Sequence, residues 1–237
     1  MIKPFQFKEF TVQQDRCAMK IGTDGVLLGA WAPIKESVTS VLDIGTGTGV
    51  IALMAAQRCQ AEIIDALEID ADAYEQAVEN FEESFWGDRL FCYHASFQEF
   101  VEEIEETYDL LISNPPFYVE EYKSSNLKRD IARFEDALPF EHLLIGGAKL
   151  LSDQGQFALI LPYKEEEEIL TIARQVGLFP QKITRVKGTP SSAIKRSLLL
   201  LGKEQQDFES DELIIESSRH EYTEAYINLT KDFYLKM

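Results

Sequence analysis

Val41-Leu-Asp-Ile-Gly-Thr-Gly-Thr-Gly49 joins a short apolar run to an apolar, helix-periodic segment over residues 50–58. A strand, a tight glycine turn and a helix make the first half of a βαβ unit. Glycines at such a turn let the backbone approach a ligand without Cβ clashes. A dinucleotide site expects GxGxxG, with the helix start facing a pyrophosphate. Here the spacing is GxGxG, and Asp43 stands two residues before the first glycine. A carboxylate there repels a pyrophosphate but suits an amino-acid ammonium, met directly or through water. The stretch points to S-adenosylmethionine rather than NAD, with Asp43, Gly45, Thr46, Gly47 and Gly49 as candidate donor contacts.

Outward from this loop, strand and helix patterns alternate from residue 38 onward, as in a parallel α/β sheet. Residues 62–67 form a second strand, 72–84 a helix, 90–95 a third strand and 97–105 an acidic amphipathic helix. A fourth strand over 110–112 precedes a helix at 139–151, a strand at 156–161 and a helix at 165–176. The rhythm then changes. Residues 183–186 and 197–201 are separated by a loop alone, which predicts an antiparallel hairpin at the sheet's end. A strand at 213–215 and an aromatic-rich helix over 222–235 complete the chain. Ahead of the core, residues 5–12 alternate and 17–21 pattern as a second short strand. Thr23-Asp24 offers an N-cap for a helix ending at Trp31, before Pro33. No repeat or linker divides the chain. The expectation is one domain over 1–237, with 1–35 as an N-terminal cap and 36–237 as the core with a C-terminal strand and helix.

Glu68 ends the second strand, followed by Ile69. A carboxylate there can accept both ribose hydroxyls, in NAD enzymes as well, so Glu68 reports a ribose without choosing the cofactor. Ser96 and Phe97 follow the third strand at the same edge. They read either as adenine contacts, by hydrogen bond and ring stacking, or at Ser96 as a simple helix cap.

The fourth strand runs into Asn114-Pro-Pro-Phe117. Two prolines stop the ladder and stiffen the turn beyond it. A rigid turn carrying an amide, carbonyls and an aromatic ring can hold a planar amine; a strand followed by a proline-rich loop is the plain alternative. In an open α/β sheet the carboxyl ends of the strands share one crevice, so Asn114 is expected to face the donor.

Composition narrows the class. Of 237 residues, 45% are hydrophobic and 27% charged, as in ordinary soluble globular proteins. The N-terminus lacks an apolar signal core, and no run approaches the roughly 18 apolar residues of a membrane span; a cytoplasmic protein is expected. Cys17, Cys59 and Cys92 contain no CxxC pair, and His94, His142 and His220 lack ligand spacing, so neither disulfides nor a metal is expected. Nothing here sets the oligomeric state. The net charge of −18 disfavours nucleic acid as a partner for the whole surface, but it is unevenly spread. Residues 36–114 hold two basic and eighteen acidic residues, whereas 180–203 hold six basic and no acidic ones. That distribution permits a localised anionic partner.

Together these residues resemble a known group. DIGTGTG with a strand-ending NPPF looks like the class I S-adenosylmethionine-dependent amino-methyltransferases, with their Rossmann-like, mostly parallel sheet flanked by helices. Their targets are adenine N6, cytosine N4, guanine N2 or glutamine N5. Arg16-Cys-Ala-Met-Lys-Ile-Gly-Thr-Asp-Gly-Val-Leu-Leu-Gly-Ala-Trp31 is similar to the N-terminal signature of the tRNA1(Val) (adenine-37 N6)-methyltransferase family. The endings at residues 222–226 and 233–237 are similar too. The resemblance implies donor contacts at Asp43, Gly45, Gly47, Gly49 and Glu68, and the target amine at Asn114, Pro115, Pro116 and Phe117. It also implies tRNA as partner. The family usually carries Tyr where Phe117 stands, and often Asp where Ser96 stands. The basic residues Arg16, Lys20, Lys128, Arg129, Arg133, Lys182, Arg185, Lys187, Lys195 and Arg196 then become candidate phosphate contacts. The rival readings are a protein glutamine-N5 methyltransferase, an rRNA guanine-N2 methyltransferase and a donor-binding RNA chaperone without turnover.

Overall fold

The computed structural model describes residues 3–115 and 138–237. Phe5–Gln6 (β1) pairs antiparallel with Thr11–Val12 (β2), and the hairpin tucks Phe7, Phe10 and Val12 into the core. Residues 17–21 are not a strand. Glutamine side chains tie the stretch down instead: Ile21 N donates to Gln14 Oε1 at 3.1 Å, and just ahead of it Arg16 N donates to Gln76 Oε1 at 3.2 Å. Thr23–Trp31 (α1) starts from Gly22 without a side-chain cap, so Thr23-Asp24 lies inside the helix rather than capping it.

Ser40–Ile44 (β3) and Val50–Arg58 (α2) flank the glycine loop. Ile63–Glu68 (β4), Ala71–Glu82 (α3), Leu90–His94 (β5) and Phe97–Glu103 (α4) follow. Then come Tyr108–Ser113 (β6), Phe140–Leu150 (α5), Leu151–Pro162 (β7) and Glu166–Gln175 (α6). Phe179–Lys187 (β8), Ile194–Gly202 (β9) and Glu209–Ile214 (β10) finish the main sheet, with a small pair, Glu216–Ser218 (β11) and Glu221–Tyr222 (β12), beyond it.

The strand order is β10-β8-β9-β7-β6-β3-β4-β5. The β5-β4-β3-β6-β7 half is parallel, while β9 runs antiparallel to both β7 and β8. The expected hairpin is therefore present as β8–β9, but the sheet does not end on it, because β10 adds outside β8 in parallel register. Alternation decides the two faces: Leu110 and Ile112 enter one core, Leu111 the other. α1, α2 and α3 cover the first face with the N-terminal hairpin, and α4, α5 and α6 cover the second. Central strands buried on both sides read as near-continuous apolar runs, as the second half of β7, Phe157 to Leu161, does. The closing helix spans only Glu224–Thr230 (α7). The chain beyond it turns back, so that Tyr234 bridges to Phe7 and covers the hairpin's rings.

Candidate active site

Parallel pairing sets Ile44 beside Leu67 on one side and Ser113 on the other. The segments after β3, β4 and β6 therefore emerge on one edge of the sheet, the usual ligand edge of an open α/β fold. Gly45, Gly47 and Gly49 adopt φ of 73°, 58° and 81°, in the left-handed region that glycine enters without strain. A Cβ added at Gly45 or Gly47 would meet nothing within 4 Å, so this side of the loop faces open space. The loop is tied to the neighbouring strand: Gly45 N and Thr46 N both donate to Leu67 O, at 3.0 and 2.9 Å.

Gly49 is constrained from the other side, since a Cβ there would lie 2.5 Å from Phe81 Cε1, and that ring is buried. Gly49→Ala is accordingly expected to lose roughly 1–3 kcal/mol of unfolding free energy from backbone strain, with the overlap adding to it. Urea titration by circular dichroism checks it; wild-type stability would show that the loop shifts freely.

Asp43 is fully buried beneath the loop. Its Oδ2 accepts from Thr46 Oγ1 at 2.6 Å and from Ala52 N at 3.2 Å. Oδ1 is buried without a partner among the described residues. Burial pushes this carboxyl up to about 7, against the stabilising bonds from Thr46 and Ala52. A buried carboxylate oxygen left unsatisfied is unusual and calls for a donor.

Glu68, at the end of β4, is turned into the loop. Its Oε2 accepts from Gly47 N at 2.8 Å, and Oε1 accepts from Ile69 N and Asp70 N, both at 2.9 Å. Three of roughly four acceptor positions are thus occupied by backbone. Burial raises its pKa against the pull of those amides. Ile69, the next residue, is 45% exposed.

Ser96 caps α4 in a reciprocal capping box. Its Oγ accepts from Glu99 N, while Glu99 Oε2 accepts from both Ser96 N and Ser96 Oγ. Phe97, expected to stack on the donor's adenine, has its ring packed in the core against Gly146 of α5. An apolar residue directly after a cap is drawn inward as the helix's first core contact.

Asn114 and Pro115 follow β6, half-buried and buried respectively. Pro116, Phe117, Lys128, Arg129 and Arg133 lie outside the described residues. Beside Asn114 stands Gly25 of α1, where an added Cβ would come within 3.9 Å of Asn114 Nδ2. Its neighbour Asp24 accepts from Arg196 Nε at 2.7 Å. The N-terminal Thr-Asp-Gly is thereby held against the end of β6, a role its sequence carried no local signal for.

Several expected phosphate contacts are committed elsewhere. Arg16 forks between Glu75 and Glu79 of α3, at 3.4 and 2.8 Å. On β8, Lys182 meets Asp211, Lys187 meets Glu212, and Arg185 is bidentate to Glu166. The acidic β10 thus cancels much of the basic stretch beside it. Lys20 and Lys195 are exposed and form no ion pair among the described residues.

A two-faced, mostly parallel sheet with a glycine loop over a buried acid and a carboxylate at the next strand's end defines a class I S-adenosylmethionine-dependent methyltransferase. Residues 26–162 match the family described as "Methyltransferase small domain". Beyond that class, the chain belongs to the tRNA1(Val) (adenine(37)-N6)-methyltransferase family. It is 62% identical to the Flavobacterium johnsoniae member over 98% of this chain and 100% of that protein. The Bacteroides fragilis member is 45% identical, over 98% of both. Among solved structures, the fold is similar to an Agrobacterium tumefaciens protein described as a predicted O-methyltransferase (TM-score 0.69, 20% identity, covering 89% of this chain and 96% of that one). It is also similar to a ribosomal protein L11 methylase from Lactobacillus delbrueckii (TM-score 0.57, 18% identity, 81% and 83%). The donor of this class fits the residues present: the unpartnered Asp43 Oδ1 awaits a hydrogen-bond donor, and the open side of Gly45 and Gly47 leaves room for it.

Proposed function

We propose that this protein transfers a methyl group from S-adenosylmethionine to the exocyclic N6 of an adenine in tRNA, next to the anticodon. The supporting observation is that Asn114, directly after β6, and the glycine loop, directly after β3, leave paired strands at the Ile44–Ser113 end. Bound over that loop, the donor supplies an electrophilic sulfonium methyl. Asp43 takes its ammonium, directly or through water, and Glu68 takes the ribose edge once the loop's amides share its oxygens. Gly45, Thr46, Gly47, Gly49 and Ile69 shape the remaining wall.

An exocyclic adenine amine is a poor nucleophile because its lone pair is delocalised into the ring. Asn114 Oδ1 and the Pro115 carbonyl accept its two N–H groups, which draws the nitrogen toward pyramidal geometry and aims the lone pair forward. Phe117 stacks on the base. Catalysis is then chiefly positioning, for which effective molarities supply roughly 7–11 kcal/mol. No base of shifted pKa is needed before transfer: as the N6–CH3 bond forms the S–CH3 bond would break, releasing S-adenosylhomocysteine, and the methylated nitrogen would then give up one proton to solvent. The target must leave its stack to reach this edge, as single-stranded loop nucleotides readily do. Lys20, Lys195 and, outside the described residues, Lys128, Arg129 and Arg133 supply phosphate contacts. The whole chain acts as one domain, working in the cytoplasm.

Label transfer from S-adenosylmethionine into tRNA, rRNA and protein fractions, followed by nucleoside analysis, tests this. N6-methyladenosine in tRNA is the expected product. Label in rRNA as N2-methylguanosine, or in protein as N5-methylglutamine, would replace it, and tRNA binding without label would indicate a chaperone. Affinity for tRNA should also fall with salt. Five lysine or arginine contacts to a single-stranded loop give a log–log slope of about −3 to −4, and a flat response would exclude these residues from phosphate binding.

A further inference from the structure

Tyr163 directly follows β7, on the same edge as Asn114, with 41% of its surface exposed. Pro162 is paired with Arg196, and Lys195 precedes Arg196 on β9, so Tyr163 and Lys195 both lie just beyond that pair at the same end of the β7–β9 ladder. Against the ring lies the Arg185 guanidinium, 5.9 Å from the centroid. That guanidinium is held firmly. Its Nε donates to both Glu166 oxygens at 3.1 Å, its Nη2 donates to Oε1 at 2.6 Å, and Glu166 also accepts from the Ser197 hydroxyl. Glu166 is itself 7% exposed. A buried carboxylate therefore orients a guanidinium plane, and the plane backs an exposed ring.

An exposed tyrosine alone is ordinary surface. This one differs in its rigid backing, in the cation beside it and in its place. Ser113 pairs with Leu159, so Tyr163 lies one strand over from Asn114 and three residues further along, about 10 Å in extended chain. That distance suits a nucleotide flanking a flipped base. The charge of Arg185 is answered by Glu166, whereas Lys195 meets no carboxylate among the described residues. A ring and an ammonium at one end of the ladder match the two halves of a nucleotide, base and phosphate.

We infer that Tyr163 and Lys195 form a second platform, which stacks the unpaired nucleotide next to the target adenine and contacts its phosphate. The inference rests on the RNA reading of the pocket at Asn114. Its test uses the full-length protein with an anticodon stem-loop RNA, intact or abasic at the positions flanking the target. Tyr163→Ala should weaken binding of the intact RNA about 5- to 100-fold, raising KM with kcat and donor affinity nearly unchanged. Tyr163→Phe should bind as wild type does. On the abasic RNA, Tyr163→Ala should have no further effect. Lys195→Ala should reduce the log–log salt slope by about 0.7. The platform is overturned if Tyr163→Ala binds the intact RNA like wild type, or loses as much on the abasic one. Failure of the wild type to bind or methylate RNA would remove the RNA reading and the platform together; methylation by the wild type with an unaffected Tyr163→Ala removes the platform alone.

Discussion

Asn114→Ala should lower single-turnover methyl transfer to tRNA by on the order of 10²–10³-fold, the usual cost of deleting one preorganised polar group at a reacting centre. Donor affinity, read by calorimetry, should stay within about twofold of wild type, because the donor loop hangs from β3 and β4 rather than from β6. The split between the two readouts carries the meaning. A collapsed site would lose both, since the loop's ties run through Leu67 O and Glu68. A positioning role for the amide loses turnover alone. Truncation opens little new space in the core, because Asn114 is only half-buried and its neighbours Gly25 and Pro115 stand on separate segments. Turnover near the wild-type rate would sink the proposed mechanism.

Asp43 governs the second large effect, and it depends on pH. Burial holds its carboxyl up at about 7, well above the value near 3.9 of an unfolded chain. A donor ammonium favours the charged carboxylate, so below pH 7 donor binding must expel a proton. Affinity should therefore fall by up to about tenfold per pH unit as pH drops from 7 toward 5.5, and level off above 7. In Asp43→Asn this slope should vanish along with most of the affinity. Stability runs in the opposite direction. A raised folded-state pKa gives a contribution that is full below about pH 4 and gone above about 7, because the folded form keeps a proton that the unfolded chain has released. Wild-type stability relative to Asp43→Asn should therefore decline by a few kcal/mol between those limits, since each tenfold difference in proton affinity is worth about 1.4 kcal/mol. Urea titrations at pH 4.5, 6 and 8 measure it. A constant difference would mean that Asp43 stays charged throughout, with water reaching Oδ1.

What proved legible in the chain was local. The run Val41–Ile44, the glycines at 45, 47 and 49 and the helix after them need only neighbours in sequence to be recognised, because their periods and φ demands are set within a few residues. The capping alternative at Ser96 was equally local, and the Ser96–Glu99 box satisfies it. Residues 17–21 misled because an alternating pattern says nothing about which partner will satisfy the backbone, and here Ile21 N finds the Gln14 side chain rather than a strand. An aromatic ring after a strand can turn either way, and at Phe97 the space beside Gly146 receives it.

The sequence by itself determined the class of fold and the glycine turn between β3 and α2, since each is a short pattern with its own stereochemistry. Only the tertiary structure decided which charges remain available to a polyanion. Lys182 and Lys187 are neutralised by a strand about 25 residues further on, Arg16 by a helix about 60 residues away, and Arg196 by the first turn of α1. Coulomb interaction acts over a few ångströms in space, whatever the separation along the chain, so pairing of β10 with β8 could cancel a basic stretch that composition alone had left exposed.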